Sequence, residues 1–466
     1  MLSLPQPLLS LAHARPQHEV LTTADSAFTA AQLVAAVAAR AGALAALGLT
    51  AADTVVLCGP ASADWVVSLH AVAWLGAAAL PLSPSLTEAE MQQALLVGRP
   101  QAALSHGVLP AGQRRALAAL GEERLWAAAG LPTAAGAAER FWPLEEVRLR
   151  LLTSGTTAAP RLVALTTAQL LFSSYGACTR LGHLPNDRWL LCLPLHHVGG
   201  LSVLYRAAWQ GTQVDLAVPF DAAQAARALD AGRVNLTALV PTMLQAILDA
   251  RPAKPFPGAL RAILLGGAAA DATLLARCRG LRVPLVVSWG MTETAALIAA
   301  EYAGASQYQV GACGPPLPFA RVDAVAGALR IRGPVAVAGE VQSEDLGECD
   351  PTGPIWVQGR RDDLVISGGE NIVPQEVEAV LQSHPEVAEA AVVGVPSAHW
   401  GQRPVAFLVL RSAGTAVPPE MAAWCRQYLA GFKVPDRFIV CLVLPRNALG
   451  KLQRPALRAL ALTETS

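Results

Sequence analysis

Short, largely apolar runs recur along most of the chain, most of them followed by a Gly/Pro turn and then an Ala-rich helical stretch. Residues 54–58, TVVLC, form one such run between the helical patterns at 31–47 and 61–74. Residues 189–193, 213–216, 236–240, 261–265 and 284–288 repeat it. Strands that are apolar on both sides must be covered on both faces. The alternation therefore predicts an α/β fold with a mostly parallel sheet wrapped by helices. From about 320 to 358 the pattern changes to short strands separated by Gly and Pro, which predicts a small β subdomain. No repeat of fixed period is present.

After Gly359-Arg360-Arg361-Asp362-Asp363 the pattern changes again. Helical patterns at 373–384 and 419–430 and strand patterns at 387–395, 405–411 and 438–443 predict a separate α+β unit. The expected organisation is a large domain over 1–359, a linker at 360–363 and a small mobile domain over 364–466.

Composition narrows the function classes. Hydrophobic residues make up 53% and charged residues 15%, which excludes a largely disordered chain. Thirty-five basic residues balance 35 acidic ones, so no nucleic-acid or anionic-membrane partner is expected. Mean hydropathy is +0.39. The longest uncharged apolar stretch, 71–82, is nonetheless shorter than the roughly 20 residues a bilayer requires, and Pro81 interrupts it. The N-terminus has early prolines and no basic residue ahead of its apolar part, so a secretory leader is not expected. The eight cysteines form no CxxC pair. They read as reduced thiols in a cytoplasm rather than as a zinc site.

Four segments carry chemistry. Residues 151–166, LLTSGTTAAPRLVALT, place hydroxyls around one glycine. Such a loop can aim N–H and O–H groups at phosphate oxygens, with Arg161 adding charge; it also fits an ordinary Ser/Thr turn. It is not a Walker A loop. Residues 287–295, VSWGMTETA, follow an apolar strand, at the end where open α/β sheets bind ligands. Trp289 can stack on a base and Glu293 can hold Mg²⁺; a core Trp and a solvated Glu fit as well. The third segment is 359–372, GRRDDLVISGGENI. The fourth, 445–454, PRNALGKLQR, carries Lys451 on a short turn, either free to reach another domain or simply solvated.

Taken together and in this order, these segments resemble the adenylate-forming superfamily of acyl-CoA synthetases, peptide-synthetase adenylation domains and luciferases. The shared pattern is TSGTT…P, GxTE, DLGE…GRxDDxxxxGGE and GKxxR, across nearly the whole chain. The resemblance implies ATP-dependent activation of a carboxylic acid to an acyl-adenylate, followed by transfer to coenzyme A. It implies phosphate contacts from Thr153, Ser154, Gly155, Thr156, Thr157 and Arg161. Gly266, Gly267, Ala268, Trp289, Gly290, Met291 and Thr292 are expected to frame adenine and the acyl carbonyl. Glu293 and Thr156 are expected to hold Mg²⁺, and Asp345 and Arg360 to bind the ribose. Asp362 is expected at the hinge, Gly368 and Gly369 along the coenzyme A channel, and Lys451 as the adenylation lysine. An assembly of identical chains is compatible with this.

Three positions depart from the usual TSGTTGxPKG loop: Ala158, Arg161 and Leu162. Ala158 would restrict a loop that needs positive φ. Trp289 also stands where the family usually has Tyr.

The acid is expected near 193–206, LPLHHVGGLSVLYR. With no Asp there to pair a substrate amino group, amino acids are disfavoured. The segment, with LVPTMLQ after it, most resembles the o-succinylbenzoate–CoA ligases of menaquinone synthesis. That substrate carries a second carboxylate, which a buried cation would stabilise. Arg206 is the candidate, with His196, His197 and Ser288 nearby; an outward-facing Arg206 is the alternative. Other aryl or medium-chain acids, a coenzyme A-dependent acyltransferase suggested by His196-His197, and an inactive nucleotide-binding homologue are weaker readings.

Overall fold

The computed structural model describes residues 2–131, 135–138, 140–153, 160–305, 308–350, 353–367, 370–397, 399–412, 416–447 and 450–463. The alternating pattern folds into two sheets. The first runs Arg161–Thr166, Val147–Thr153, Ala78–Pro81, Thr54–Cys58, Ala102–Ser105, Leu125–Ala127. The second runs Ala299–Ala300, Leu285–Trp289, Ala262–Leu265, Leu236–Leu239, Arg188–Leu191, Gln213–Leu216, Glu19–Thr22, Ala27–Thr29. Both are parallel in their interior. Antiparallel pairs appear at sheet margins, at Arg161–Thr166 on Val147–Thr153, at Leu285–Trp289 on Ala299–Ala300 and at Glu19–Thr22 on Ala27–Thr29.

The reason is visible in burial. Thr54–Cys58, Ala262–Leu265 and Leu236–Leu239 are buried at every residue, as strands covered on both faces must be. The helix Ala63–Leu75 starts on a Ser62 side-chain cap and ends at Gly76 in the left-handed region.

The Gly/Pro-punctuated stretch forms a four-stranded antiparallel sheet: Arg321–Val325, Ala328–Arg332, Glu340–Cys349 and Ile355–Arg360. Its apolar face packs around Leu329, Ile331 and Ile355, together with Trp289 from the large sheet and Ile298 just before its edge strand.

The C-terminal unit has its own five-stranded sheet, built on the long pair Val387–Ser397 and Gly401–Leu410. The helices Pro374–Gln382, Met421–Tyr428 and Arg454–Thr463 cover it with separate apolar clusters on its two faces. The segment read as a linker is ordered chemically: Arg360 ends a strand and Arg361–Asp363 form a 3₁₀ turn. No disulfide joins any of the eight cysteines among the described residues. Among the described residues no helix is long and apolar enough to cross a membrane.

Candidate active site

Two carboxyl-terminal strand ends and the edge of the antiparallel sheet meet in one place. Leu285–Trp289 delivers Trp289, whose indole Nε1–H donates to Asp345 Oδ2 at 2.7 Å. Asp345 and Arg360 face each other across neighbouring strands, because the register pairs them directly. Arg360 grips Asp362 with Nε and Nη2, each at 2.9 Å, and reaches Asp345 Oδ1 with Nη1 at 3.4 Å. The Asp362 hydrogen bond raises the proton affinity of the Arg360 guanidinium, and the Asp345 and Asp362 charges add to it, so it stays charged.

Gly266 follows the strand Ala262–Leu265 and lies against Ser288; an added Cβ would sit 2.7 Å from Ser288 Oγ. Ser288 Oγ donates to the Leu265 carbonyl at 2.9 Å. Gly267 has φ +79, and Gly267 and Ala268 are exposed. Gly290 permits a turn that no other residue fits, since a Cβ there would meet the Ala296 oxygen at 1.5 Å. Met291 accepts from Thr294 Oγ1 at 3.1 Å, closing the 3₁₀ turn Thr292–Thr294 that holds Glu293.

Glu293 is partly buried and has no hydrogen-bond or ion-pair partner among the described residues. A carboxylate with both oxygens uncommitted suits a hard divalent cation that also takes phosphate oxygens. Thr153 pairs with Arg161 across an antiparallel strand pair, and the Arg161–Thr166 strand packs on the Thr292–Thr294 turn. Ser154, Gly155, Thr156, Thr157 and Ala158 lie outside the described residues, as do Gly368 and Gly369.

Lys451 stands at this cluster although it belongs to the small domain. Its backbone is fixed by Asn447, which gives an N–H to the Lys451 carbonyl at 2.9 Å and accepts the Lys451 N–H on Oδ1 at 3.0 Å. Burial lowers the proton affinity of Lys451, the Arg360 charge lowers it further, and Asp345 opposes both. The side chain keeps open surface despite these neighbours. Gly450, just before it, packs against Thr242 at the start of the helix Pro241–Asp249.

The helix Val198–Gln210 begins at His197, whose ring lies 4.3 Å from that of His196. Burial drops His196 to about 4 and His197 to about 3, with His196 and Lys451 adding to the second shift. Both imidazoles are therefore neutral at pH 7.

Farther along the same helix, Arg206 is 1% exposed, so the outward-facing alternative does not hold. It lies over Trp189 at 5.0 Å, and its Nε and Nη1 have no hydrogen-bond partner. Burial lowers its pKa to about 10, which leaves it cationic. Among the described residues, no hydrogen bond joins it to His196, His197 or Ser288.

Sequence reasoning missed three contributors. Thr242 seats the lysine turn, and its only sequence signal is the Pro241-Thr242 pair at a helix start. The indole N–H of Trp289 binds Asp345 Oδ2. Arg454, the last residue of the GKxxR pattern, is 7% exposed. It binds Glu378 at 2.6 Å and Asp363 at 3.0 Å, tying the 3₁₀ turn to the small domain.

Comparison with known proteins matches this arrangement. Residues 10–342 match the AMP-binding enzyme family and residues 376–451 the AMP-binding enzyme C-terminal domain. A 2-succinylbenzoate–CoA ligase from Bacillus licheniformis is 34% identical, covering 97% of this chain and 98% of that protein. The o-succinylbenzoate CoA synthetase of Bacillus subtilis, solved with its acyl-adenylate intermediate, superposes with a TM-score of 0.90 at 31% identity. That alignment covers 98% of this chain and 99% of the other. The same enzyme with ATP and magnesium gives 0.89 at 31% identity, covering 98% and 100%. A double mutant of it bound to a product analogue gives 0.73 at 31% identity, covering 98% of each chain. Over the whole chain the structure thus superposes more closely on the adenylate complex than on the product-analogue complex.

Proposed function

This chain belongs to the AMP-binding enzyme family and is an AMP-forming acid–CoA ligase, and we propose that its acid is o-succinylbenzoate, placing it in menaquinone synthesis in the cytoplasm. The observation that carries this is Arg206, a buried guanidinium with two nitrogens lacking a hydrogen-bond partner, on the helix that begins at His197.

The first half-reaction joins two anions. A carboxylate oxygen attacks the α-phosphorus of ATP, an O–P bond forms and pyrophosphate leaves. Positive charge must stand where negative charge builds up. Lys451 supplies it from the small domain, and its value rises as closure excludes water. Asp345 and Arg360 hold the ribose, and the segment around Thr153 and Arg161 the phosphates. Mg²⁺ arriving with ATP would sit on Glu293, with Thr156 beside it, and neutralise phosphate charge. His196 and His197, being neutral, line the acyl side without adding charge beside Lys451.

The second half-reaction needs Lys451 to leave. The small domain turns about Asp362, the thiolate of coenzyme A attacks the acyl carbon, a C–S bond forms and AMP departs. Gly368 and Gly369 would line the thiol channel.

Arg206 supports a diacid. A buried guanidinium without a carboxylate is costly, and a substrate carboxylate would relieve that cost. The helix rise of 1.5 Å per residue places its Cα about 13 Å from that of His197, and helical side chains lean back toward the N-terminus. The test is coenzyme A-dependent AMP release across a panel of acids. A preference for o-succinylbenzoate over benzoate and medium-chain acids supports the proposal, and equal or better turnover of a monoacid overturns it.

A further inference from the structure

We infer that Trp289 is a positioning residue for the nucleotide ribose, because its indole N–H fixes the orientation of the Asp345 carboxylate. The inference rests on the reading of Asp345 as the ribose-binding group.

The geometry decides between two groups that could orient Asp345. The indole donates at 2.7 Å, within the range of strong charge-assisted hydrogen bonds. Arg360 makes only one long contact, 3.4 Å, because its Nε and Nη2 edge is already committed to Asp362. The Arg360 side chain is also 48% exposed, so solvent competes for it. Trp289, by contrast, is 7% exposed and packed in the apolar cluster with Ile298, Ala299 and Leu329. Its backbone is immobilised by the tight Gly290 turn. The indole is a donor with no acceptor capacity, so it can only select a carboxylate oxygen, never compete with one.

The consequence is directional. Oδ2 is tied to the buried indole, and Oδ1 is left to face Arg360 and the ribose. Asp345 is further held by Ser343, whose Oγ accepts the Asp345 N–H at 3.1 Å. An aromatic residue without a donor at 289 would keep the packing and lose the orientation.

The experiment is ATP–pyrophosphate exchange with ATP and with 2′-deoxy-ATP on the full chain. Trp289→Phe should raise KM for ATP about tenfold while kcat falls far less, and should shrink the preference for ATP over 2′-deoxy-ATP. In an Asp345→Ala background the same change should add little, since its effect runs through that carboxylate. Site-specific replacement of Trp289 by benzothienylalanine, which keeps the bicyclic shape and lacks the N–H, should reproduce the Phe result even if the Phe variant folds poorly. Unchanged discrimination in the benzothienyl protein, or full additivity with Asp345→Ala, overturns the inference. Wild-type exchange that shows no preference between ATP and 2′-deoxy-ATP overturns both the ribose reading and this inference.

Discussion

Gly450 of the small domain rests on Thr242 of the large one, so closely that a Cβ at Gly450 would lie 2.1 Å from the Thr242 hydroxyl oxygen. Gly450 also has φ +70, where L side chains are strained. A side chain at 450 would therefore push the lysine turn away from the large domain. Gly450→Val should slow adenylation by about a hundredfold, the scale of a misplacement near 1 Å. Thioester formation from a supplied acyl-adenylate should persist, and Thr242→Ala should restore part of the loss. Equal loss in both half-reactions would show that the contact is not specific to the adenylating arrangement.

Lys451→Ala should reduce ATP–pyrophosphate exchange by at least about 10²-fold, as expected for loss of a group that stabilises developing charge. The sign of its pH dependence follows from its surroundings. Burial and Arg360 lower its pKa, so the ammonium is lost at a lower pH than for an ordinary lysine as pH rises. The alkaline limb of the exchange rate should therefore fall below the ordinary lysine range near 10.4. The same limb appearing in the thioester-forming half-reaction would contradict the assignment.

Arg206→Met should act in opposite directions on stability and function. Removing a buried cation with two unpaired nitrogens should raise Tm of the substrate-free protein by roughly 1 °C, the shift that about 1 kcal/mol gives in a domain of about 360 residues. It should also raise KM for o-succinylbenzoate far more than for benzoate-like monoacids. A parallel rise for both substrates would remove Arg206 from the acid site.

His70 is fully buried against Tyr205, with ring centroids 6.0 Å apart, and burial lowers it to about 4. Its unfolded value is 6.5. The unfolded chain therefore takes up the proton first as pH falls. Stability present above pH 6.5 should be lost progressively toward pH 4. His70→Leu should flatten the fall of Tm over that window; an unchanged slope would mean that other groups dominate.

Arg454→Ala should destabilise the small domain by about 3–5 kcal/mol, because Glu378 is left buried beside an empty site. Thermal melting with a separate small-domain transition is the readout. Arg454→Lys should rescue little, since one ammonium cannot serve Glu378 and Asp363 with the same fork.

Much of the fold was legible in the residues. TVVLC at 54–58 and QVDL at 213–216 form strands at those bounds, because short apolar runs between turns leave few alternatives. Register between distant strands was not legible. Asp345 and Arg360 lie opposite each other only because a bulge at Leu346/Gly347 shifts the pairing. The hydroxyl-rich run and the GK turn stood out in the sequence by residue type and order, but residues 154–158 of that run lie outside the described residues.

Local sequence determined which side chains exist to carry charge and where many of the strands start and stop. Tertiary structure decided which of them are desolvated and what they touch. The same Arg could be a solvated helix residue or an unpaired cation in the core, and the same Trp a stacking plane or a hydrogen-bond donor. Those outcomes depend on neighbours tens or hundreds of residues away, because burial and hydrogen bonding are properties of the packed surroundings rather than of the residue.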